Sequence, residues 1–306
     1  MSNFEREILS LLKRKFGEVR RSNGESLASL FQKSYEFYFH NPADNLYTPM
    51  TSETQKQYGN GSGSELVDKV YPAKMKALRS SSAMTYNLFR NDPVVLKGND
   101  RIGRGTYECT YEKQVPTLRG PGMPANFDAF LYCPDTGEAV VCEMKLAEWL
   151  LDKPATLSQA YTSHERYPSY EDKVAAEIFI ILSRKLFVKN IIGSKNRYDV
   201  AQMFKHTLAC YNVCQHLKGI HKLTLVNCVW ELPEHEVLSA SARETYDRLL
   251  QEEHEQFDAF RKVMAPVHKL FQRIGVSFEY QYYSVAQLVE LMELPAEVRT
   301  YLGRYL

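Results

Sequence analysis

The sequence predicts an α/β protein: a mixed central β-sheet flanked by helices, with helical extensions at its N- and C-terminal ends. Three observations predict it. Two apolar-rich runs, 126–133 and 138–145, flank Pro134, Asp135, Thr136 and Gly137, a turn signal, so 126–145 reads as a β-hairpin closed by a loop of about four residues. Along the second run Ala139, Val141, Glu143 and Lys145 share one face, and Val140, Cys142, Met144 and Leu146 share the other. Both faces are largely apolar, as suits a central strand covered on both sides. Finally, residues 65–230 read in order as helix, three strands, helix, strand, helix and strand, an alternation that packs helices against a sheet.

The elements follow from local pattern. Phe4, Ile8, Leu11, Leu12 and Phe16 recur at helical spacing, and Leu27, Leu30, Phe31 and Tyr35 do so again, predicting two N-terminal helices. Lys13, Arg14, Lys15, Arg20 and Arg21 read as a solvated helix face, with contact to a phosphate backbone as the alternative. Residues 41–64 turn polar, and 59–64 read as a flexible loop ending in an N-cap at Ser64. Glu65 then opens a helix toward Phe89, kinked at Pro72, with Lys74, Lys76 and Arg79 as a basic stripe suited to phosphates. A loop with Arg101 and Arg104 leads into a strand at 105–114, and the Gly/Pro-rich stretch 117–124 is a loop. Pro154 breaks any continuous helix, and Thr156 starts a new one carrying Gln159 and Tyr161. The β-branched and aromatic run 175–183 reads as a buried strand. Asp199 caps a helix through Leu217, and 222–230 is a strand. Residues 239–273 are long amphipathic helical sequence, through Tyr246, Leu249, Leu250, Phe257 and Phe260. Residues 276–283 alternate like a strand, Ser284 begins a helix, and Pro295 begins a short terminal one. The domain reading is 1–60, an N-terminal helical extension; 61–235, the core; and 236–306, a C-terminal helical extension with a strand packed on the core.

Composition narrows the class. The 306 residues are 44% hydrophobic and 12% aromatic, enough for a sizeable core. Thirty-eight Lys and Arg against 37 Asp and Glu give no global positive field, so any nucleic-acid contact must rest on local charge. Six cysteines occur without paired C-x-x-C spacing, and Cys109, Cys133, Cys142 and Cys228 fall in strand-like runs, predicting reduced thiols in a cytoplasmic protein. Cys210 and Cys214 share a helix face with His206, a hint of zinc, but without an evident fourth ligand packing is the preferred reading. No signal peptide is read and no apolar run is long enough to span a bilayer, so no membrane partner is expected.

The chemistry sits at the open end of the hairpin. If Cys133 faces Glu138, counting back places Asp128 opposite Glu143. Two carboxylates and an ammonium at the end of a buried strand are costly to desolvate unless paired or bound to an ion. Asp128 and Glu143 offer oxygen-only ligation suited to Mg²⁺, for which Mn²⁺ can substitute. Lys145 cannot be a ligand while charged, but it can orient an attacking water or offset transition-state charge. Together these groups suit phosphodiester hydrolysis. The bland alternative is a same-face ion pair with Asp128 as a strand-end residue.

Asp128 followed after a hairpin by Glu143-Met144-Lys145 resembles the Asp…Glu-x-Lys signature of the PD-(D/E)XK nuclease superfamily, with Phe127 where that pattern has Pro. The resemblance implies a restriction-endonuclease-like core and a Mg²⁺-dependent endonuclease acting on DNA. In it Asp128 and Glu143 hold the metal and Lys145 positions water. It also implies an acid on the helix before the sheet, for which Glu65 is the candidate; a first-turn Glu favoured by the helix dipole is the structural alternative. Glu112 and Glu148 are further acids near the site, and Gln159 is a candidate neighbour of Lys145, although its spacing to Tyr161 does not meet Gln-x-x-x-Tyr. Residues 76–89, 112–114 and 202–209 resemble a bacterial family of restriction-endonuclease-like proteins, over roughly 60–235. The alternatives are a repair or recombination nuclease on branched or single-stranded DNA, and a catalytically silent nucleic-acid-binding protein. Double-strand cutting requires two active sites, which a homodimer would supply.

Overall fold

The computed structural model describes residues 1–20, 29–61, 64–90, 93–119, 124–151, 156–167, 172–189, 191–192 and 196–306. Arg21, Leu27, Gly63, the middle of the predicted 117–124 loop and Pro154 lie outside them. Helices α1 (Asn3–Arg20), α2 (Ser52–Asn60) and α3 (Ser81–Phe89) precede strands β1 (Val94–Leu96), β2 (Gly105–Val115), β3 (Ala125–Cys133) and β4 (Glu138–Lys145). Helices α4 (Lys173–Val188) and α5 (Val200–His216) follow, then β5 (Lys222–Val229). The chain ends with α6 (Ala240–Met264), α7 (Val267–Arg273), β6 (Ser277–Ser284), α8 (Val285–Glu290) and α9 (Ala296–Leu302).

The six strands form one sheet in sequence order. β1 to β4 pair antiparallel, whereas β4 with β5 and β5 with β6 pair parallel. The change of sense follows from the connections: a short turn joins β3 to β4, while helices carry the chain back before β5 and again before β6. The predicted mixed sheet flanked by helices is therefore present.

Strand β4 is covered on both faces, and its two residue sets go to different cores. Val140, Cys142, Met144 and Leu146 join a cluster with Phe16 of α1, Tyr86 of α3, Leu288 of α8 and Leu302 of α9. Ala139 and Val141 join another with Phe179 of α4, Phe204 of α5, Phe260 of α6 and Leu270 of α7. Because both faces are apolar, burial alone does not select the register of this strand, and the turn must. Gly137 does so at φ +63°, a left-handed conformation that a side chain adopts at a cost, with its N–H donating to the Cys133 carbonyl at 2.9 Å. A Cβ there would lie 2.3 Å from the Gly219 carbonyl oxygen.

Four expectations are corrected. Residues 175–183 lie in helix α4, not in a strand. Asp172 Oδ1 accepts from the Ala175 N–H at 2.9 Å and opens the helix. Burial then recurs at Ala175, Ala176, Phe179, Ile180 and Ser183, while Val174, Ile181, Phe187 and Val188 face solvent. A short apolar run does not by itself separate a buried strand from a helix, and capping with amphipathic burial decided here.

The helix expected from Glu65 to Phe89 begins at Ser81. Pro72 has no N–H and disfavours helical backbone at Tyr71. The preceding segment folds back instead: Lys74 N–H donates to the Ser64 carbonyl (2.9 Å), Met75 N–H to that of Glu65 (3.1 Å), and Ser80 Oγ caps α3. The second N-terminal helix is replaced, at Leu30 to Tyr35, by turn and bridge structure in which Phe31 pairs with Phe39 and stacks on its ring at 4.5 Å. In place of the helix starting at Thr156 there is a single 3-10 turn, Gln159–Thr162. Helix α2, capped by Thr51, and the short strand β1 were not anticipated.

Candidate active site

The hairpin register is the one counted from the turn. The paired positions run from Cys133 and Glu138 to Ala129 and Cys142, one step short of Asp128 and Glu143, whose charges lie close enough to act on each other. The Met144 N–H donates to Asp128 Oδ2 at 2.7 Å, holding one carboxylate oxygen of β3 against the backbone of β4.

Glu143 is buried, 1% exposed, and both its oxygens are engaged. Lys145 Nζ lies 2.5 Å from Oε1. At Oε2, Gln202 Nε2 donates at 3.0 Å and His206 Nε2 lies at 2.7 Å. Lys145 Nζ also donates to Gln202 Oε1 at 3.1 Å, closing a ring of Glu143, Lys145 and Gln202. Helix α5 supplies two of these groups because Gln202 and His206 are four residues apart on one face, and Asp199 Oδ1 anchors its first turn by accepting from the Gln202 N–H at 2.9 Å. The carboxylate oxygen can only accept, so the imidazole proton facing it sits on Nε2. Phe127, where the resemblance expects Pro, packs edge-on against the His206 ring at 5.2 Å between centroids.

This ring borders a cleft of about 440 Å³, which Glu65, Lys74, Glu112 and Asp128 also line. The side chain of Glu112 is buried, on a residue held at φ +47°, unusual outside glycine. Gly61, just past α2, lies so close that a Cβ there would come 2.8 Å from Glu112 Oε2. Glu65 accepts from Lys74 Nζ at 2.8 Å through Oε1, while its buried Oε2 has no hydrogen-bond partner among the described residues. With Glu148, five carboxylates thus share the cleft with the ammonium groups of Lys74 and Lys145 and the guanidinium of Arg79.

That imbalance governs the acids. Burial, then the charges of Glu143 and Glu112, push Asp128 well above the usual carboxylate range, with Lys145 offsetting part of it. Burial and the charges of Glu65 and Glu143 raise Glu112 to about 7. Burial would raise Glu143 too, but Lys145 and His206 outweigh it and hold that carboxyl at about 2. Burial disfavours the Lys145 ammonium, yet Glu143, Asp199 and Asp128 together hold its proton more tightly than in an ordinary lysine.

The remaining candidates divide. Glu65 reaches the cleft, from a loop rather than from the first turn of a helix. Glu148 borders the cleft, but one of its oxygens is committed to the N–H groups of Leu146 and Ala147 at 2.8 and 3.0 Å. Gln159 is exposed on its 3-10 turn, and the glutamine beside Lys145 is Gln202 instead. In the basic stripe Lys76 pairs with Asp68 and Arg79 with Glu5, each at 2.7 Å. His206, which the sequence marks by its spacing to the cysteines and its place in 202–209, turns to Glu143. Cys210 is buried in the adjoining apolar cluster, with Cys214 packed against it, and all six cysteines are free. The four-residue spacing from Gln202 was the available signal for His206. Among the described residues no group of three or more His, Cys, Asp and Glu is arranged to hold a metal, and no helix is long and apolar enough to cross a membrane.

Fold and site together define an α/β protein whose central strand carries an acidic cleft at its end. Over residues 17–293 the chain matches the model of a family described as Restriction Endonuclease associating with ARP, and it belongs to that family. No curated protein and no solved structure matches it.

Proposed function

We propose that the chain is a divalent-metal-dependent endonuclease of the PD-(D/E)XK type that hydrolyses phosphodiester bonds in DNA. The family description supports nuclease chemistry, and the convergence of Asp128, Glu143 and Lys145 at the end of β4 carries the assignment to these residues. Association with ARP, which the family description names, is expected of this chain as well.

The residues fit a hard divalent cation. The cleft gathers five carboxylates against two ammonium groups and the Arg79 guanidinium, and buries one carboxylate oxygen, Glu65 Oε2, without a donor among the described residues. Oxygen donors of this kind suit Mg²⁺ or Mn²⁺, with Asp128 and Glu143 as ligands and the rest of the shell left to water and substrate oxygens. Bound there, the ion would supply Lewis-acid polarisation of the scissile phosphate.

The chain's own groups have separable tasks. Lys145 keeps its proton, so it serves as a donor and a positive charge and not as a general base. It can hold an attacking water by hydrogen bond and stabilise charge growing on the phosphate oxygens. Gln202 fixes the ammonium from one side, and His206 fixes Glu143 from the other. Glu65, through the oxygen not held by Lys74, can accept from a water in the cleft.

One observation favours a second reading, a catalytically silent DNA-binding protein: both oxygens of Glu143 already have donors within the protein. Plasmid nicking and linearisation with Mg²⁺ or Mn²⁺ separates the two. The nuclease reading expects cleavage by the native chain and loss in Asp128→Asn and Lys145→Ala at matched folding. Equal cleavage by all three would remove these residues from the chemistry, and metal-independent binding of DNA without cutting would favour the silent protein.

A further inference from the structure

The segment between Ser64 and Lys74 is a closed loop whose base is pinned and whose tip is apolar. Its ends are joined by the Lys74 to Ser64 and Met75 to Glu65 backbone hydrogen bonds. Asp68 straps its interior, accepting from the Ala73 N–H at 2.8 Å and from Lys76 Nζ at 2.7 Å. At the tip Val67, Val70 and Tyr71 are 66, 89 and 74% exposed. A loop ordered at its base while holding three large apolar side chains in water is suited to contact something.

Its position says what. Glu65 and Lys74, at the two feet of the loop, line the same cleft as Asp128 and Lys145, and so do Tyr71 and Pro72. Tyr38 also lines it, with the ring of Tyr35 packed edge-on at 5.6 Å. Tyr71 thus stands in the wall of the cleft that a phosphate reaching the carboxylates would enter, and Lys69 and Lys74 are exposed on the same segment, Lys74 paired with Glu65. An aromatic ring on a fixed mount beside a phosphate path is a stacking platform for a base, whereas a base within an intact duplex keeps its faces against its neighbours.

We infer that this loop reads unpaired nucleotides, with Tyr71 stacking on a base next to the scissile phosphate, so that the substrate class is DNA with a single-stranded stretch at the cut. The inference rests on the nuclease reading above and deepens it. Tyr71 acts on binding and positioning and takes no part in the chemistry.

The test compares Mg²⁺-dependent cleavage of a labelled single-stranded oligonucleotide and of the blunt duplex with the same sequence. It uses the full chain, Tyr71→Ala and Tyr71→Phe. The native chain is expected to prefer the single strand. Tyr71→Ala should raise KM for the single strand roughly five- to a hundred-fold with kcat and the circular dichroism spectrum little changed. Tyr71→Phe, which keeps the ring, should restore the native value. Unchanged cleavage of the single strand by Tyr71→Ala, or equal losses on both substrates, would overturn the inference and leave the nuclease reading intact. Cleavage of neither substrate by the native chain would overturn the nuclease reading, and this inference with it.

Discussion

Strand β4 carries a glutamate facing a lysine at each of its ends, and the two ends have different accounts of charge. At the turn end Glu138 accepts from Lys222 Nζ (3.4 Å), from the Gly103 N–H (2.8 Å) and from the Tyr107 hydroxyl (3.0 Å), and both charged side chains keep some contact with water. At the other end Glu143 is also fully bonded, but Asp128, Glu112 and Glu65 crowd in beside it. A carboxylate with its own donors is a structural element. Around Glu143 the further carboxylates are only partly offset, by Lys145 and by the Lys74 ion pair to Glu65, and the excess that remains is what the proposed site would use.

The comparison can be broken most directly at Lys145. Lys145→Ala should lower the DNA cleavage rate by about 10²–10³-fold, as for loss of one electrostatic stabiliser, while Lys222→Ala should leave the rate unchanged; single-turnover kinetics reads both. Next comes the donor behind Glu143. His206→Phe keeps the ring packed near Phe127 but removes the hydrogen bond, and divalent-metal affinity by calorimetry should fall about 10- to 100-fold.

The acid surplus should also be visible in stability. Glu112, about 7 in the folded chain against an ordinary 4.5, binds a proton in the native state over a pH range where the unfolded chain has released it. Stability therefore falls as pH rises through that window, by up to about 3 kcal/mol from this residue in the metal-free protein. Denaturant titrations at pH 5 and pH 8 should show a smaller difference for Glu112→Gln than for the native chain. The register can be tested at Gly137, where alanine combines a left-handed backbone with a close approach to Gly219. A loss of about 1–3 kcal/mol is expected, with cleavage falling alongside it if the hairpin shifts. Smallest is Glu138→Gln, which should cost about 1 kcal/mol and spare activity.

Much of this arrangement was legible because it depends on near neighbours in the chain. The turn at Pro134 to Gly137 sets the pairing of its own strands, and that pairing brings Asp128 to Glu143 over a span of sixteen residues or fewer. The caps at Asp199 and Ser284 are likewise local, and their helices begin where those residues indicate. Run 175–183 was misread because its composition suits either a strand or a buried helix face, and only the partners of that face distinguish them.

By itself the sequence determined the central hairpin, its register and the three groups it gathers, since alternation and turn geometry act over a few residues. Tertiary structure decided how distant side chains complete the site, including Glu65 and Glu112, which the sequence nominates without placing. Gln202 and His206 arrive from a helix nearly sixty residues further on, Glu65 from a loop turned back by Pro72, and Glu112 from an unusual backbone angle. Their positions are set by packing on both faces of one sheet, and no local pattern encodes which face of a remote helix meets which strand.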